Sequence, residues 1–244
     1  MSNPVFTIIT CTFNAASTLE RTIRSVDAQT YSGIEHLVID GASKDGTLEI
    51  AASSKRARII SEPDKGLYDA MNKGISLATG DYIIFLNAGD CFHSDDTLSQ
   101  VASIIEDKNP DVIYGETALV DEDGKFVRMR RLQAPESLDW RSFKKGMLVC
   151  HQSFWAKREL AARTHYDLAY RYSADVDWCI RIMQQSAVLF NTHETLTDYL
   201  EEGMSTKNRK ASLIERFAIM RKHYGLPCTM TNHIWFVLRA VVKR

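Results

Sequence analysis

No uninterrupted apolar run in this sequence approaches the ~18 residues that a transmembrane helix needs, and the first one, after the opening MSNP, is far shorter. The chain opens without a basic leader, so no secretory signal is expected. Its cysteines (Cys11, Cys91, Cys150, Cys179 and Cys228) are scattered, odd in number and never spaced C-x-x-C. That spacing argues against a structural zinc site and a disulfide scaffold, and reduced thiols in a cytoplasmic protein are the expectation. No G-x-G-x-x-G follows the first strand-like segment and no G-x-x-x-x-G-K-[ST] occurs anywhere, which disfavours dehydrogenases and P-loop nucleotidases. Internal repeats and low-complexity linkers are also missing.

What is there is ordinary in bulk and uneven in detail. With 244 residues, 45% of them apolar and 25% charged, the chain suits one sizeable α/β domain with an appendage, and its core needs no covalent staples. The net charge of −1 hides an asymmetry. Between Ser205 and Arg244 nine basic residues face the single acid Glu215, so the body before them is acidic. A basic tail on an acidic body points to an anionic surface as its neighbour.

Hydrophobic periodicity then divides the chain. Val5 to Thr12 reads as a strand, and Asn14 is expected to open a helix in which Ser17 and Glu20 have capping-box spacing. His36 to Asp40, Ala57 to Ser61 and Tyr82 to Leu86 read as strands, with helices over Thr47 to Ser54 and Leu67 to Ala78 between them. The wholly apolar Tyr82 run suits a central strand buried on both faces. Such alternation argues for right-handed βαβ units and a mainly parallel sheet. Past Pro110 the rhythm changes. Asp111 to Gly115 and Glu116 to Val120 are expected as two strands, with a turn at Asp121 to Gly124 leading into Lys125 to Arg130 as a hairpin insertion or sheet edge. Trp140 to Gly146 is irregular, His151 to Trp155 is expected as a strand, and Asp175 to Gln185 as a helix. The expected division is a domain over residues 1–206 and a basic, amphipathic helical tail over 207–244.

In open α/β sheets ligands gather where strands end. Thr10 and Thr12 end the first strand, Asp40 the second, and Asn87 and Asp90 follow the Tyr82 strand, so one pocket is expected there. The runs TIITCTFN, VIDGASKDGT and EPDKGLYDAMNKGISLATGDYIIFLNAGD, resumed by HQSFW, YDLAYRYSADVDWCIRIM and EEGMST, resemble an inverting family 2 glycosyltransferase. The closest type is that of bacterial surface-polysaccharide, colanic-acid-like transferases. The resemblance implies the GT-A fold, a mainly parallel Rossmann-like sheet flanked by helices. It also implies a nucleotide-sugar donor, UDP-linked ahead of dTDP or GDP, and a glycan or polyprenyl-diphosphate-linked acceptor.

By the same resemblance, Asp40 recognises the nucleotide base, while Thr10 and Phe13 line the base and ribose pocket. Asp69 and Asn72 contact the donor or fix its loop. Asp90 stands where family members carry D-x-D, here relaxed to Asn87-Ala-Gly-Asp90, and is the expected ligand of Mn²⁺ or Mg²⁺. Asp175 matches the aspartate of E-D-x-x-L-x-x-R, with alanine in place of the glutamate, and is the expected base, Asp177 being the alternative. Lys65 could approach the diphosphate, and His151 and Gln152 sit where the acceptor side should form. Gly203 to Ser205 could close over the diphosphate.

Two rivals share this pocket chemistry. A nucleotide-sugar pyrophosphorylase needs a glycine- and basic-rich phosphate loop, which CTFNAAST lacks. A non-catalytic sugar-nucleotide-binding module has no use for a base such as Asp175. In the tail, Ile234, Val237, Leu238, Val241 and Val242 recur at helical spacing beside Trp235 and Phe236, with Arg239, Lys243 and Arg244 flanking them. That pattern suits a helix on an anionic membrane surface, the inner face of the cytoplasmic membrane, and equally a helix packed on the body or a partner. Nucleic acid is not expected, because the body is acidic.

Overall fold

The first apolar run becomes strand β1 (Phe6–Thr12), buried along its whole length. In the computed structural model, which describes residues 3–201 and 208–242, the elements then alternate. They are α1 (Leu19–Asp27), β2 (Ile34–Asp40), α2 (Thr47–Ala51), β3 (Ala57–Ser61), α3 (Leu67–Leu77) and β4 (Tyr82–Phe85). These four strands pair in parallel in the order β3-β2-β1-β4. The short β5 (Cys91–Phe92) and helix α4 (Thr97–Lys108) lead to β6 (Val112–Val120) and β7 (Phe126–Met129). Strand β8 (Phe154–Lys157), α5 (Arg158–Ala162), α6 (Ala174–Met183) and β9 (Leu189–Leu200) complete the body, and α7 (Arg209–Tyr224) and α8 (Leu226–Val242) follow.

One nine-stranded sheet runs β3-β2-β1-β4-β8-β6-β9-β5, with β7 paired to β6. Its longest ladders, β1 with β2 and β6 with β9, are parallel, while β8 joins the two parallel blocks by antiparallel pairing on both sides. Both faces are covered, as the alternation of side chains along a strand requires. From β1, Ile9 and Cys11 pack with Met71, Phe85 and Trp178 on the face covered by α3 and α6. Phe6 and Ile8 pack with Leu98 and Val101 of α4 on the other. Gly74 lets α3 lie close on β1, since a Cβ there would stand 2.5 Å from the Ile9 side chain.

Several expectations need correction. Asn14 does not open a helix; its φ of 49° is left-handed, and its side-chain carbonyl accepts from the Lys44 amide at 3.0 Å. Helix α1 starts at Leu19 after Thr18 with no side-chain cap, so the Ser17–Glu20 capping box does not form, and Glu20 pairs with Arg24 instead. Residues 112–120 are one strand, bent by register shifts next to Gly115, where a Cβ would meet the Glu194 carbonyl at 2.6 Å. His151–Ser153 is a 3₁₀ turn, and the strand begins only at Phe154. Periodicity missed α4 and β9 entirely. Strand β9 is a long, largely polar segment that earns its place by pairing with β6 and β5. The hairpin of β6 and β7 stands as expected.

The tail lies partly on the body. Ile219 and Met220 of α7 are buried, Tyr224 donates to the Trp140 carbonyl at 2.6 Å, and the two rings stack. The expected loop at Gly203 to Ser205 lies outside the described residues, as do Lys243 and Arg244 and the side chains of residues 237–242.

Candidate active site

Parallel register lines up three strand ends: Thr12 sits beside Asp40 and Asp40 beside Ser61. Asp40 is buried there and accepts from the Thr12 hydroxyl at 3.0 Å, the Ser61 hydroxyl at 2.7 Å, and both the amide (2.9 Å) and hydroxyl of Ser43. Burial alone would raise its pKa, but the hydrogen bonds from Ser43, Ser61 and Thr12 outweigh it and hold the carboxyl below its ordinary value. All four acceptor positions of this carboxylate are therefore in use. A base N–H reaches it only by displacing one of those donors.

Above these strand ends opens a cavity of about 1350 Å³, reaching from the loops after β1 and β4 to the β6–β7 hairpin and α7. Phe13 stands at its lip, 66% exposed, and Gly41, Lys65 and Tyr68 line the same side. Thr10 does not reach the cavity; it is buried, and its hydroxyl is 3.0 Å from Nε2 of His36. Asn72 faces away as well. Its side chain closes a two-way bridge with the backbone of Tyr166, donating at 3.0 Å and accepting at 2.7 Å. Asp69 accepts the Lys65 amide at 3.0 Å, which fixes the turn that opens α3.

Asp90 lines the cavity from beneath, its carboxylate held by the Gln152 side-chain amide at 2.9 Å and the Leu200 amide at 3.0 Å. Burial pushes its pKa up to about 7, against the Leu200 and Gln152 hydrogen bonds and the charge of Arg21. Gly89 makes this turn with a φ of 104°, and a Cβ there would come within 2.7 Å of Leu200. In the same turn, Oδ1 of Asn87 is buried without a hydrogen-bond partner among the described residues. An aspartate with a neighbouring amide oxygen is a set of hard oxygen donors that fits Mg²⁺ or Mn²⁺ completed by phosphate oxygens.

Asp175, in the first turn of α6, also lines the cavity, and the Tyr68 hydroxyl donates to its Oδ1 at 3.3 Å. Tyr199 of β9 lines the same cavity, and its phenol is pushed up by burial and then by the charges of Asp90 and Asp175, with Arg130 opposing them. Asp177, two residues on, is wholly buried away from the cavity. It is bound by Arg181 at 2.6 Å, His223 at 2.8 Å and Lys222 at 3.1 Å, the last two from α7. Burial raises its pKa, but the His223, Arg181 and Lys222 bonds prevail and hold it well below the carboxylate range.

His151 lines the cavity with Gln152 and is itself buried: it stacks on Phe85 at 4.9 Å, bonds the Tyr166 hydroxyl, and burial lowers its pKa to about 4. Pattern reading gave no sign of Tyr68, Tyr199 or the Gln152–Asp90 bond. Aromatics at helix or strand spacing look like core, and only the parallel pairing of β6 with β9 reveals which end of β9 meets the cavity. The arginines of the far wall were also missed: Arg128 on β7, Arg130 and Arg131 after it, Arg171 before α6, and Arg216 on α7. A β-hairpin and two distant segments supply them, and no sequence period connects these.

Comparison with known proteins agrees with this layout. The family model for glycosyl transferase family 2 matches residues 7–164. A PGL/p-HBAD biosynthesis glycosyltransferase of Mycobacterium bovis is 35% identical over 211 residues, covering 83% of this chain and 79% of that protein. The amylovoran biosynthesis glycosyltransferase AmsB of Erwinia amylovora is 29% identical over 196 residues, covering 74% of this chain and 64% of that one. Among solved structures, S. aureus TarS in complex with UDP-GlcNAc superposes with a TM-score of 0.72 at 16% identity, over 89% of this chain and 64% of that one. This chain thus spans less than two thirds of the TarS chain. The mannosyltransferase PcManGT of Pyrobaculum calidifontis, in complex with GDP-Man and Mn²⁺, gives a TM-score of 0.67 at 18% identity, over 96% of this chain and 69% of that one. The fold is that of GT-A enzymes. The chain belongs to glycosyl transferase family 2 and is a glycosyltransferase.

Proposed function

We propose that this transferase moves a sugar from a UDP-sugar to an acceptor hydroxyl in the assembly of a bacterial surface glycan, with inversion at the anomeric carbon. The observation that carries the reading is the convergence of two acids, Asp90 and Asp175, on one cavity that Tyr199 also lines. Binding alone needs no such pair. The names of the mycobacterial and Erwinia relatives support the glycan-assembly context, and the UDP-GlcNAc complex of TarS supports the choice of UDP.

In this reading Phe13 stacks on the base, and Asp40 reads its N–H when Ser43 turns away. Thr10 and Asn72 act from behind, holding the strand end and α3, and Asp69 holds the Lys65 loop. Asp90 and Asn87 would hold a divalent cation, which supplies positive charge for the departing diphosphate. Asp175 orients the acceptor hydroxyl and takes its proton as the oxygen attacks the anomeric carbon from the face opposite the diphosphate. The bond from that carbon to the diphosphate oxygen breaks, and its electron pair leaves with UDP. Tyr68 keeps Asp175 aimed.

Residues 1–206 form the catalytic unit in this reading, and 207–244 an appendage. No helix among the described residues is long and apolar enough to cross a membrane. Met230, Ile234 and Trp235 of α8 are exposed and, with the basic residues of the tail, suit attachment to the inner face of the cytoplasmic membrane. The test is release of UDP from a panel of UDP-sugars, with water or added glycans as acceptor. Turnover that Asp175→Asn abolishes while UDP affinity holds supports the reading; turnover untouched by that change defeats the base assignment.

A further inference from the structure

The acidic and basic groups of the cavity are not distributed evenly. On the strand-end side Arg21 and Lys65 are offset by Asp64 and Asp90. Across from them, Arg130, Arg131, Arg171 and Arg216 line the wall built by the hairpin, the loop before α6, and α7, where the acids are Glu122, Asp175 and Glu201. Arg128 beside them is already ion-paired with Glu201. The other four have no carboxylate partner among the described residues.

Their surroundings hold them without neutralising them. The Arg130 guanidinium donates to the carbonyls of Met147 at 2.7 Å, Leu148 at 3.1 Å and Leu132 at 3.3 Å. Glu215, the acid nearest Arg216 in sequence, spends both carboxylate oxygens on the backbone amides of Arg171 and Tyr172, each at 2.8 Å. That contact ties the Arg171 turn to α7 while leaving its side chain free of the acid. The Arg171 guanidinium lies 5.9 Å from the Tyr172 ring centre. Nε of Arg216 is buried and has no hydrogen-bond partner among the described residues. A buried, unpaired donor on a cation costs stability, and like charges facing one cavity repel. Planar guanidinium forks match carboxylate and phosphate oxygens, often two bonds at a time.

We infer that this wall is a subsite for an anionic group, a carboxylate or a phosphate ester, carried by the acceptor near the hydroxyl that reacts. The inference rests on the transferase reading for its placement on the acceptor side. In that reading a divalent cation held by Asp90 and Asn87 would face the donor's diphosphate on the strand-end side, and the four arginines lie on the wall across from it. Arg130 and Arg216 sit partly buried and fix the geometry; Arg131 is exposed at the rim. The acceptor is therefore an acidic sugar or a phosphorylated glycan in preference to a neutral one.

The test is a ligand-observed NMR titration of the whole chain with methyl β-D-glucuronide, glycerol 3-phosphate and the neutral methyl β-D-glucoside. Each is run without nucleotide and again with saturating UDP and Mn²⁺. One anionic probe should bind at least about tenfold more tightly than the glucoside. The glucuronide arm identifies an acidic sugar and the glycerol phosphate arm a phosphate ester. Arg171→Gln and Arg216→Gln should each weaken that probe by about tenfold and leave UDP affinity within about twofold. Arg131→Gln removes no buried contact and should weaken the probe without touching stability. Anionic probes that bind no better than the glucoside overturn the proposal. So do arginine variants that weaken UDP as much as the probe, which would give these side chains to the donor. A wild-type chain that fails to bind UDP sinks the donor reading instead, and the nucleotide-free arm still decides the arginine wall.

Discussion

The two walls of the cavity are made in different ways. The strand-end wall comes from the parallel block β3-β2-β1-β4, where register alone sets Thr12, Asp40 and Ser61 side by side and the following loops carry Phe13, Gly41 and Asp90. The opposite wall is gathered from segments far apart in the chain: the β6–β7 hairpin, the turn at residues 150–152, the start of α6, the end of β9, and α7. The first wall is a product of local periodicity and a topological rule. The second exists only when the tertiary fold is complete, and it includes a helix from the tail. In the proposed reading, donor chemistry therefore falls to the sheet, while the acceptor wall depends on how distant pieces dock.

Asp175 and Asp177 bring that contrast to one helix turn. Asp175→Asn should lower turnover by roughly two to four orders of magnitude, the usual worth of a general base, and leave thermal unfolding unchanged. A fall in stability comparable with that of the neighbouring change would erase the distinction. Asp177→Ala should instead cost about 3–5 kcal/mol in urea unfolding, because it strands Arg181, Lys222 and His223 around a buried site. Its carboxyl is held below the ordinary carboxylate value, so its stabilisation is complete above pH ~4 and is lost as pH falls further. Acid unfolding that is steep in wild type and shallower in Asp177→Asn would show the linkage; superimposable acid curves would remove it.

The sequence patterns reached the first wall well and the second poorly. Asp40 and Asp90 lie at strand ends because apolar runs before them announce strands, and the ligand side of such a sheet follows. Thr10 lies two residues before the end of β1, where its hydroxyl meets His36 beneath the cavity that Thr12 lines. Asn72 carries a polar side chain on a helix at the right spacing, yet its partner is the backbone of Tyr166, far along the chain. Strand β9 escaped notice because half its residues are polar or exposed, and its stability comes from pairing. Helix α4 buries Leu98, Val101, Ala102 and Ile105 at helical spacing over Thr97–Lys108, a pattern short enough to be hidden among its polar neighbours.

Smaller changes refine the same contrast. Asn72→Ala should cost about 1–3 kcal/mol by leaving backbone groups of Tyr166 unpaired, while UDP titration stays within about twofold. A large loss of UDP affinity at preserved stability would return Asn72 to the donor. The smallest effect is expected at Trp235, 57% exposed on α8. Trp235→Ala should change stability by no more than about 0.5 kcal/mol, yet reduce co-sedimentation with vesicles containing anionic lipid. Equal sedimentation of variant and wild type would leave the membrane without a role for this helix.

The account turns on Asp90 and the wall it belongs to. Calorimetric titration of UDP into the full chain, with and without Mn²⁺ and repeated on Asp90→Ala, tests it most directly. The expected result is binding that Mn²⁺ strengthens in wild type and that the variant loses. Failure of UDP to bind, or binding indifferent to both Mn²⁺ and the substitution, would contradict the donor site described here.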